Sequence, residues 1–218
     1  MLVPTFGQGH RTSISYELLQ FPIHPRKTFD EAPGGRTPQE AELYLSWLQG
    51  IDVDRTIYAM DFFDAAGFSY EISTDPFVAL GAYEEWLSAW SDLALRRYVG
   101  EHWHIGEFGL EFSRPDSGTY NLEAETLFCT IAHDASLVVL DYARRLRPLP
   151  WVLSDERFPR PPIGIDPRRL KVGVHVGGST VYPIQVCITV VLGAISSSSH
   201  GQPNGLLQEL YGDLTKSD

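Results

Sequence analysis

Hydrophobic positions recur at helical spacing in three stretches of the chain. Thr37-Pro38-Gln39-Glu40 has the pattern of a capping box, in which the Thr and Glu side chains each accept a hydrogen bond from the other residue's backbone amide. The apolar positions that follow, up to a stop signal at Gly50, predict a helix over residues 38–49. Similar patterns predict two further main helices, over residues 76–99 and 134–146.

Alternating apolar and polar positions indicate β-strands elsewhere. Two β-prone runs within residues 55–73 are separated by Asp64-Ala65-Ala66-Gly67, which predicts a hairpin. Gly177-Gly178-Ser179 separates two more β-rich runs and predicts a second hairpin. Residues 120–130 fit either a strand or an N-terminal extension of the third helix, and the strand is favoured. The two runs beside the glycine turn are residues 170–176 and 181–192, and the remaining β-rich runs are residues 13–23 and 107–113.

These elements predict an α+β fold, with an antiparallel sheet built from hairpins and three main helices packed on it. The 218 residues are enough to bury a core without a disulfide or a metal, and we expect a single domain over residues 1–218. Six prolines in residues 148–167 indicate a connector rather than a helix or a central strand. Residues 168–218 are expected to hold a β-hairpin and a short terminal helix over residues 206–214.

The composition excludes several functional classes. With 28 acidic and 17 basic residues and a formal charge of −11, the chain is a poor general binder of nucleic acids or anionic membranes, since both need clustered Lys and Arg. A hydrophobic content of 43% is typical of a folded, soluble protein. Cys129 and Cys187 each lie in an apolar run and are expected to be buried. No signal-peptide pattern precedes the fold, so a cytoplasmic location is expected.

The negative charge lies wholly in the middle of the chain. Residues 37–134 contain 18 Asp and Glu but four Arg, a balance of −14, whereas residues 1–36 carry +1 and residues 135–218 carry +2. No motif identifies a reaction, and an acidic field accelerates association with a basic partner. The preferred interpretation is a non-catalytic interaction protein, such as an immunity or inhibitor protein that binds a basic protein; an acidic surface that is only solvated is the simpler alternative. The residues expected to be exposed and to bind the partner are Asp52, Asp54, Asp61, Asp64, Glu84, Glu85 and Tyr70.

Histidines supply the alternative function, a small-molecule enzyme or ligand-binding protein with a histidine-containing aromatic pocket. His102 and His104 flank Trp103, and Glu107 follows three residues on. In a strand both imidazoles would leave the same face, as ligands of a divalent metal do. The H-x-H pattern alone is common, so surface residues without a metal are favoured, and no other cofactor is predicted. The candidates for a third ligand, or for other histidines of the pocket, are His133, Asp134 and His175.

The segment from His175 to Ser179 has two interpretations. The amides of Gly177 and Gly178 can hold an anion, and a His four residues before a Ser fits a nucleophile with its base. However, no G-x-S-x-G pattern accompanies them. Paired glycines between β-rich runs are typical of a hairpin turn that needs positive φ, and this interpretation is favoured.

Overall fold

The described residues of the computed structural model form five α-helices and five short or medium strands. The helices are α1 (Pro38–Ala65), α2 (Pro76–Val99), α3 (Leu122–Arg144), α4 (Pro183–Ser196) and α5 (Leu206–Thr215). The strands are β1 (Leu2–Val3), β2 (Ile14–Ser15), β3 (Trp151–Arg157), β4 (Arg168–Val176) and β5 (Ser179–Val181), and a 3-10 turn spans Pro25–Thr28. The structure describes residues 2–3, 14–28, 36–68, 75–99, 121–157, 168–196 and 205–216. The predicted strand over 107–113 lies outside these ranges.

Helix α1 begins as its sequence predicts and continues well past the predicted end. The Glu40 amide donates to Thr37 Oγ1 at 3.2 Å, and the Thr37 amide donates to Glu40 Oε2 at 2.9 Å, so the capping box is complete. The helix passes through Gly50 and ends only at Ala65. The hairpin predicted over residues 55–73 is therefore wrong from 55 to 65. Burial outweighs the β-propensity of this run, because its apolar residues continue the buried stripe of the first turns.

Two other segments predicted as strands are also helical. Asn121 accepts from the Ala124 amide at 3.0 Å and caps α3, so the strand favoured over residues 120–130 is wrong. Pro183 is the first residue of α4, so the predicted strand over 181–192 ends at Val181. Both helices are rich in buried apolar residues, and a helix that is apolar on most sides resembles a buried strand in sequence.

The sheet is antiparallel, with β4 between β3 and β5. Strand β3 runs through the proline-rich segment that was predicted to be a connector; it is an edge strand, the position that neighbouring prolines allow. Val176 pairs with Ser179 across the turn. Gly177 and Gly178 adopt φ of 51° and 75°, so the favoured interpretation as a positive-φ turn is confirmed. Of the predicted strand over 13–23, the described part forms only the short β2, which pairs with β1.

Helix α3 organises the core. Helices α1, α2, α4 and α5 all pack against α3, and α1, α4 and α5 also contact the sheet. The mixed α+β class is thus confirmed. Helix α2 and the terminal helix α5 lie where the sequence predicts them. Among the described residues, no helix combines the length and the apolar content that crossing a membrane requires.

Candidate functional site

One side of α1 is exposed along the helix and carries apolar residues. The opposite side is buried against the core through residues such as Tyr44, Leu48 and Phe62. Val53 and Ile57 lie one turn apart on the outer side and are 70% and 56% exposed. Large apolar side chains on a solvent-facing helix surface indicate a contact region when they occur together.

Carboxylates lie on the same side of the helix. Asp54, Asp61 and Asp64 are exposed, and positions 53, 57, 61 and 64 follow the spacing of one helix face. The ion pairs of the described residues include none of these three aspartates. We call the exposed set formed by Leu43, Val53, Asp54, Ile57, Asp61 and Asp64 the α1 face.

No basic residue of α1 offsets these charges at the surface. The helix contains six acidic residues and one basic residue, Arg55, and Arg55 is buried on the core side. The α1 face is therefore both apolar and negative, which is the combination expected for a surface that contacts a basic partner.

Asp52, one of the predicted partner-binding residues, is buried rather than exposed. Its carboxylate pairs with Arg144, with 2.7 Å between Oδ2 and Nη2, and it accepts a hydrogen bond from Trp151 Nε1 at 3.0 Å. These contacts join α1 to the end of α3 and to β3. The expected exposure of Asp52 is wrong because its partners come from distant parts of the chain.

Glu84 is also buried, with 2% exposure, whereas its neighbour Glu85 is exposed. Glu84 Oε2 accepts from the Leu207 amide at 2.8 Å. The N-cap residue of α5 is Gly205, which has no side chain, so a carboxylate from α2 satisfies an amide that the helix leaves free. The expected exposure of Glu84 is therefore wrong. Tyr70, predicted as an aromatic anchor, lies outside the described residues.

Replacing Glu84 with Ala is expected to lower the free energy of unfolding by about 1–2 kcal/mol, the usual cost of losing an N-cap. Urea unfolding at neutral pH measures this loss. Glu85→Ala is the matched control, because this neighbour on α2 is exposed and its replacement is expected to change stability by about 0.5 kcal/mol or less. Equal effects of the two substitutions would contradict the capping role of Glu84.

A buried ionic cluster lies between α1, α3 and the N-terminal segment. Arg55 donates from Nε to Asp134 Oδ1 at 2.7 Å and from Nη2 to Asp134 Oδ2 at 2.8 Å. The Tyr16 hydroxyl donates to Asp134 Oδ2 at 2.5 Å, and Arg55 Nη2 also donates to the Glu17 carbonyl at 2.7 Å. Burial raises the pKa of Asp134, and Arg55 and the Tyr16 hydroxyl oppose this shift. The cluster holds the segment before the 3-10 turn against the two helices.

The adjacent residue on α3, His133, is neutral and enclosed. Its Nδ1 donates to the Cys129 carbonyl at 2.6 Å, so Nε2 accepts from the Tyr44 hydroxyl at 2.5 Å. The rings of Phe21 and Trp47 pack beside it, with centroids 4.9 and 6.2 Å away. Burial lowers the pKa of His133 to about 3. Because the ring is fully buried and both nitrogens are bonded within the protein, it stabilises the core and does not face a ligand.

The predicted metal ligands are not brought together by the described structure. His102, His104 and Glu107 lie outside the described residues. His175 is exposed on β4, whereas His133 is buried on α3. Within the described ranges, no group of three His, Cys, Asp or Glu side chains is placed to hold a metal ion.

Both cysteines are buried and free, as expected. Burial raises the pKa of the Cys129 and Cys187 thiols, which makes them poor nucleophiles.

The exposure of Val53 and Ile57 on one helix face was missed by the sequence analysis because the predicted helix ended at residue 49 and residues 55–65 were assigned to a hairpin. On a helical projection of 38–65, Val53 and Ile57 fall opposite Tyr44, Leu48 and Phe62. This projection needs only the sequence, and it places Val53 and Ile57 on the solvent side of the helix.

Comparison with protein-family models, curated proteins and solved structures gives no significant match. The function is therefore inferred from the residues of this chain.

Proposed function

We propose that the protein is a non-catalytic interaction protein that binds a basic protein through the α1 face. The observation that carries the proposal is the presence of Val53 and Ile57, both more than half exposed, on the same helix face as three exposed carboxylates. Such a surface suits an immunity or inhibitor protein that neutralises a basic enzyme, because complementary charge speeds association and excludes wrong partners.

The two kinds of residue supply different parts of the binding energy. Covering exposed apolar surface contributes about 25 cal/mol per Å² removed from water, and Val53 and Ile57 provide such surface. Asp54, Asp61 and Asp64 attract a basic partner at long range and accelerate association. Salt screens this attraction with a Debye length of about 10 Å at 0.1 M, so the association rate is expected to fall as salt is added.

Burial changes the set of residues proposed to bind the partner. Asp52 and Glu84 are removed from the set, because they are buried and stabilise the fold. Leu43, Val53 and Ile57 are added, because they are exposed on the α1 face. Glu85 on α2 and Tyr70 stay predictions.

The alternative function, an enzyme or binding protein with a histidine-containing pocket, has less support. His133 is enclosed by aromatic rings and bonded at both nitrogens, and His175 lies on the exposed side of β4. His133 and His175 therefore offer no shared site for a ligand.

Reversing the charge of the α1 face is expected to abolish partner binding. The immobilised wild-type protein is expected to retain a basic protein from an extract of the source cell, and Asp54→Lys/Asp61→Lys/Asp64→Lys is expected to retain about tenfold less or lower, because attraction becomes repulsion. Quantitative mass spectrometry of the eluates, at low salt and at about 0.5 M salt, measures the difference.

The matched control is Glu123→Lys/Asp155→Lys/Glu209→Lys, which changes the net charge equally at exposed residues of α3, β3 and α5. This control is expected to retain the basic protein as the wild type does. Equal loss with both triple variants would mean that only net charge matters. The absence of any basic protein that distinguishes the wild type from the α1-face variant would refute the proposed function.

A further inference from the structure

The exposed residues of α1 include a stripe with heptad spacing. Leu43, Ser46, Gly50, Val53 and Ile57 are separated by three, four, three and four residues, and all five are exposed. This is the spacing with which one helix packs along another in a coiled coil. At about 1.5 Å per residue the stripe is about 21 Å long, which is two heptads.

The stripe has no side chain at its middle residue, Gly50, and we call this part of the helix surface the flat region. A Cβ placed on Gly50 would have no atom within 4 Å, and Gly50 is absent from the glycines with positive φ. Its backbone and surroundings would therefore accept alanine. Glycine inside a helix costs about 1 kcal/mol relative to alanine. The fold of this chain does not require glycine at position 50, although glycine destabilises the helix. Because glycine has no side chain, a side chain of an element packed on α1 can approach the helix backbone at this position.

Acidic residues flank the stripe. Leu43, Gly50 and Ile57 occupy the first core position of the heptad, and Ser46 and Val53 occupy the second. Asp54 and Asp61 then occupy one of the two positions that flank the core. Glu42 falls at the other, and all three are exposed. The flanking positions of a coiled coil select the partner by charge. A facing helix would thus be favoured if it carried Lys or Arg at its own flanking positions.

The same charges disfavour a second copy of this chain. Two α1 helices packed along their stripes would bring the carboxylates of Asp54, Asp61 and Glu42 towards their counterparts, and like-charge contacts of this kind cost binding energy. The buried Arg55 is the single basic residue of α1, so no cation on the helix relieves the repulsion.

We propose that the element of the basic partner that binds this protein is an amphipathic helix, which lies along α1 with apolar residues against the 43–57 stripe and Lys or Arg beside Asp54 and Asp61. This inference rests on the proposed function and adds the shape and chemistry of the docking element. The mode is the packing of an amphipathic helix on an apolar helical surface.

The test uses a labelled synthetic peptide of three heptads with Leu at the core positions and Lys at the flanking positions. The peptide is used at nanomolar concentration, and fluorescence anisotropy measures its binding to the full chain. The discriminating variant is Val53→Asp/Ile57→Asp, which makes the face more acidic while removing its apolar residues. Helix packing predicts that binding weakens by about tenfold or more, whereas attraction by charge alone predicts equal or tighter binding.

Gly50 provides a second, matched pair of variants. Gly50→Ala is expected to bind the Leu/Lys peptide as the wild type does, and Gly50→Trp is expected to bind it about tenfold more weakly, because the indole fills the flat region. Circular dichroism checks that both variants keep their helix content. A peptide with Glu in place of Lys is expected not to bind.

The outcomes separate this inference from the proposed function. If the reversed-charge variant loses the cellular partner while Val53→Asp/Ile57→Asp and Gly50→Trp keep it, the interaction function stands and the helical partner is wrong. If the wild type forms a concentration-dependent dimer in sedimentation that Val53→Asp/Ile57→Asp abolishes, a second copy occupies the stripe and the inference is overturned.

Discussion

Replacing Arg55 with Met is expected to lower the free energy of unfolding by about 3–5 kcal/mol, the usual cost of removing one member of a buried ion pair. The Asp134 side chain is fully buried, and Arg55 is its bidentate partner. Without the guanidinium, the carboxylate stays in the core, where the Tyr16 hydroxyl still donates to it but the cation beside it is gone. Urea unfolding at pH 7, followed by tryptophan fluorescence, measures the change.

Arg144→Met is the control for the Arg55 substitution. Arg144 also pairs with an aspartate, Asp52, but its side chain is 24% exposed, so solvent screens this pair in part and a smaller loss than for Arg55→Met is expected. In the double variant Arg55→Met/Asp134→Asn, the unpaired charge is gone, so part of the stability is expected to return. Equal losses of unfolding free energy for Arg55→Met and Arg144→Met would contradict a larger contribution of the buried cluster to stability.

Acid is expected to destabilise the protein through His133 by about 1.4 kcal/mol for each pH unit below about 6.5. The pKa of His133 in the folded protein is about 3, whereas an unfolded histidine has a pKa of about 6.5. Between these values the unfolded chain binds a proton that the folded chain does not, so stability is complete above about pH 6.5. It falls as the pH is lowered towards about 3.

The double variant Tyr44→Phe/His133→Phe isolates this effect. It removes the imidazole together with the hydroxyl that bonds it, so no buried hydroxyl loses its partner. Between about pH 6 and 4 the stability of the double variant is expected to depend on pH less steeply than that of the wild type, by the contribution of one proton. Parallel curves of unfolding free energy against pH would show that His133 is accessible to protons in the folded protein.

These two buried groups also separate stability from binding. Arg55 on α1 and His133 on α3 are both buried in the core, whereas the α1 face lies on the solvent side of α1. Variants of the core groups that remain folded are expected to bind the partner normally, and variants of Val53 and Ile57 are expected to keep their stability. Binding and unfolding measurements on both sets therefore test the fold and the proposed function independently.

The parts of the fold that the sequence predicted depend on local interactions. The capping box at Thr37 and Glu40 and the positive-φ turn at Gly177-Gly178 involve residues within a few positions of each other. Their geometry follows from side-chain hydrogen bonding and backbone sterics. The hydrophobic pattern over residues 76–99 was also sufficient to predict α2, because its apolar stripe is long and strongly periodic.

The parts that the sequence analysis assigned wrongly depend on burial by distant elements. Residues 55–65 and 183–192 are rich in aromatic or β-branched residues, and local propensity favours strands for them. Residues 122–130 fit either a strand or a helix by their apolar pattern. In the folded protein they form parts of α1, α3 and α4, which cover one another's apolar sides. Packing against other helices determines the structure of these segments. The local sequence does not show which distant segment will bury their apolar side chains.

The sequence by itself determined the helix start at Thr37, the glycine turn, the buried cysteines and the concentration of negative charge in residues 37–134, because each depends on neighbouring residues or on composition. Only the tertiary structure decided which carboxylates reach solvent. Asp52 and Glu84 are buried because Arg144 and the Leu207 amide, distant in sequence, fold against them. Asp54, Asp61 and Asp64 stay exposed beside Val53 and Ile57, because the core covers the other side of α1.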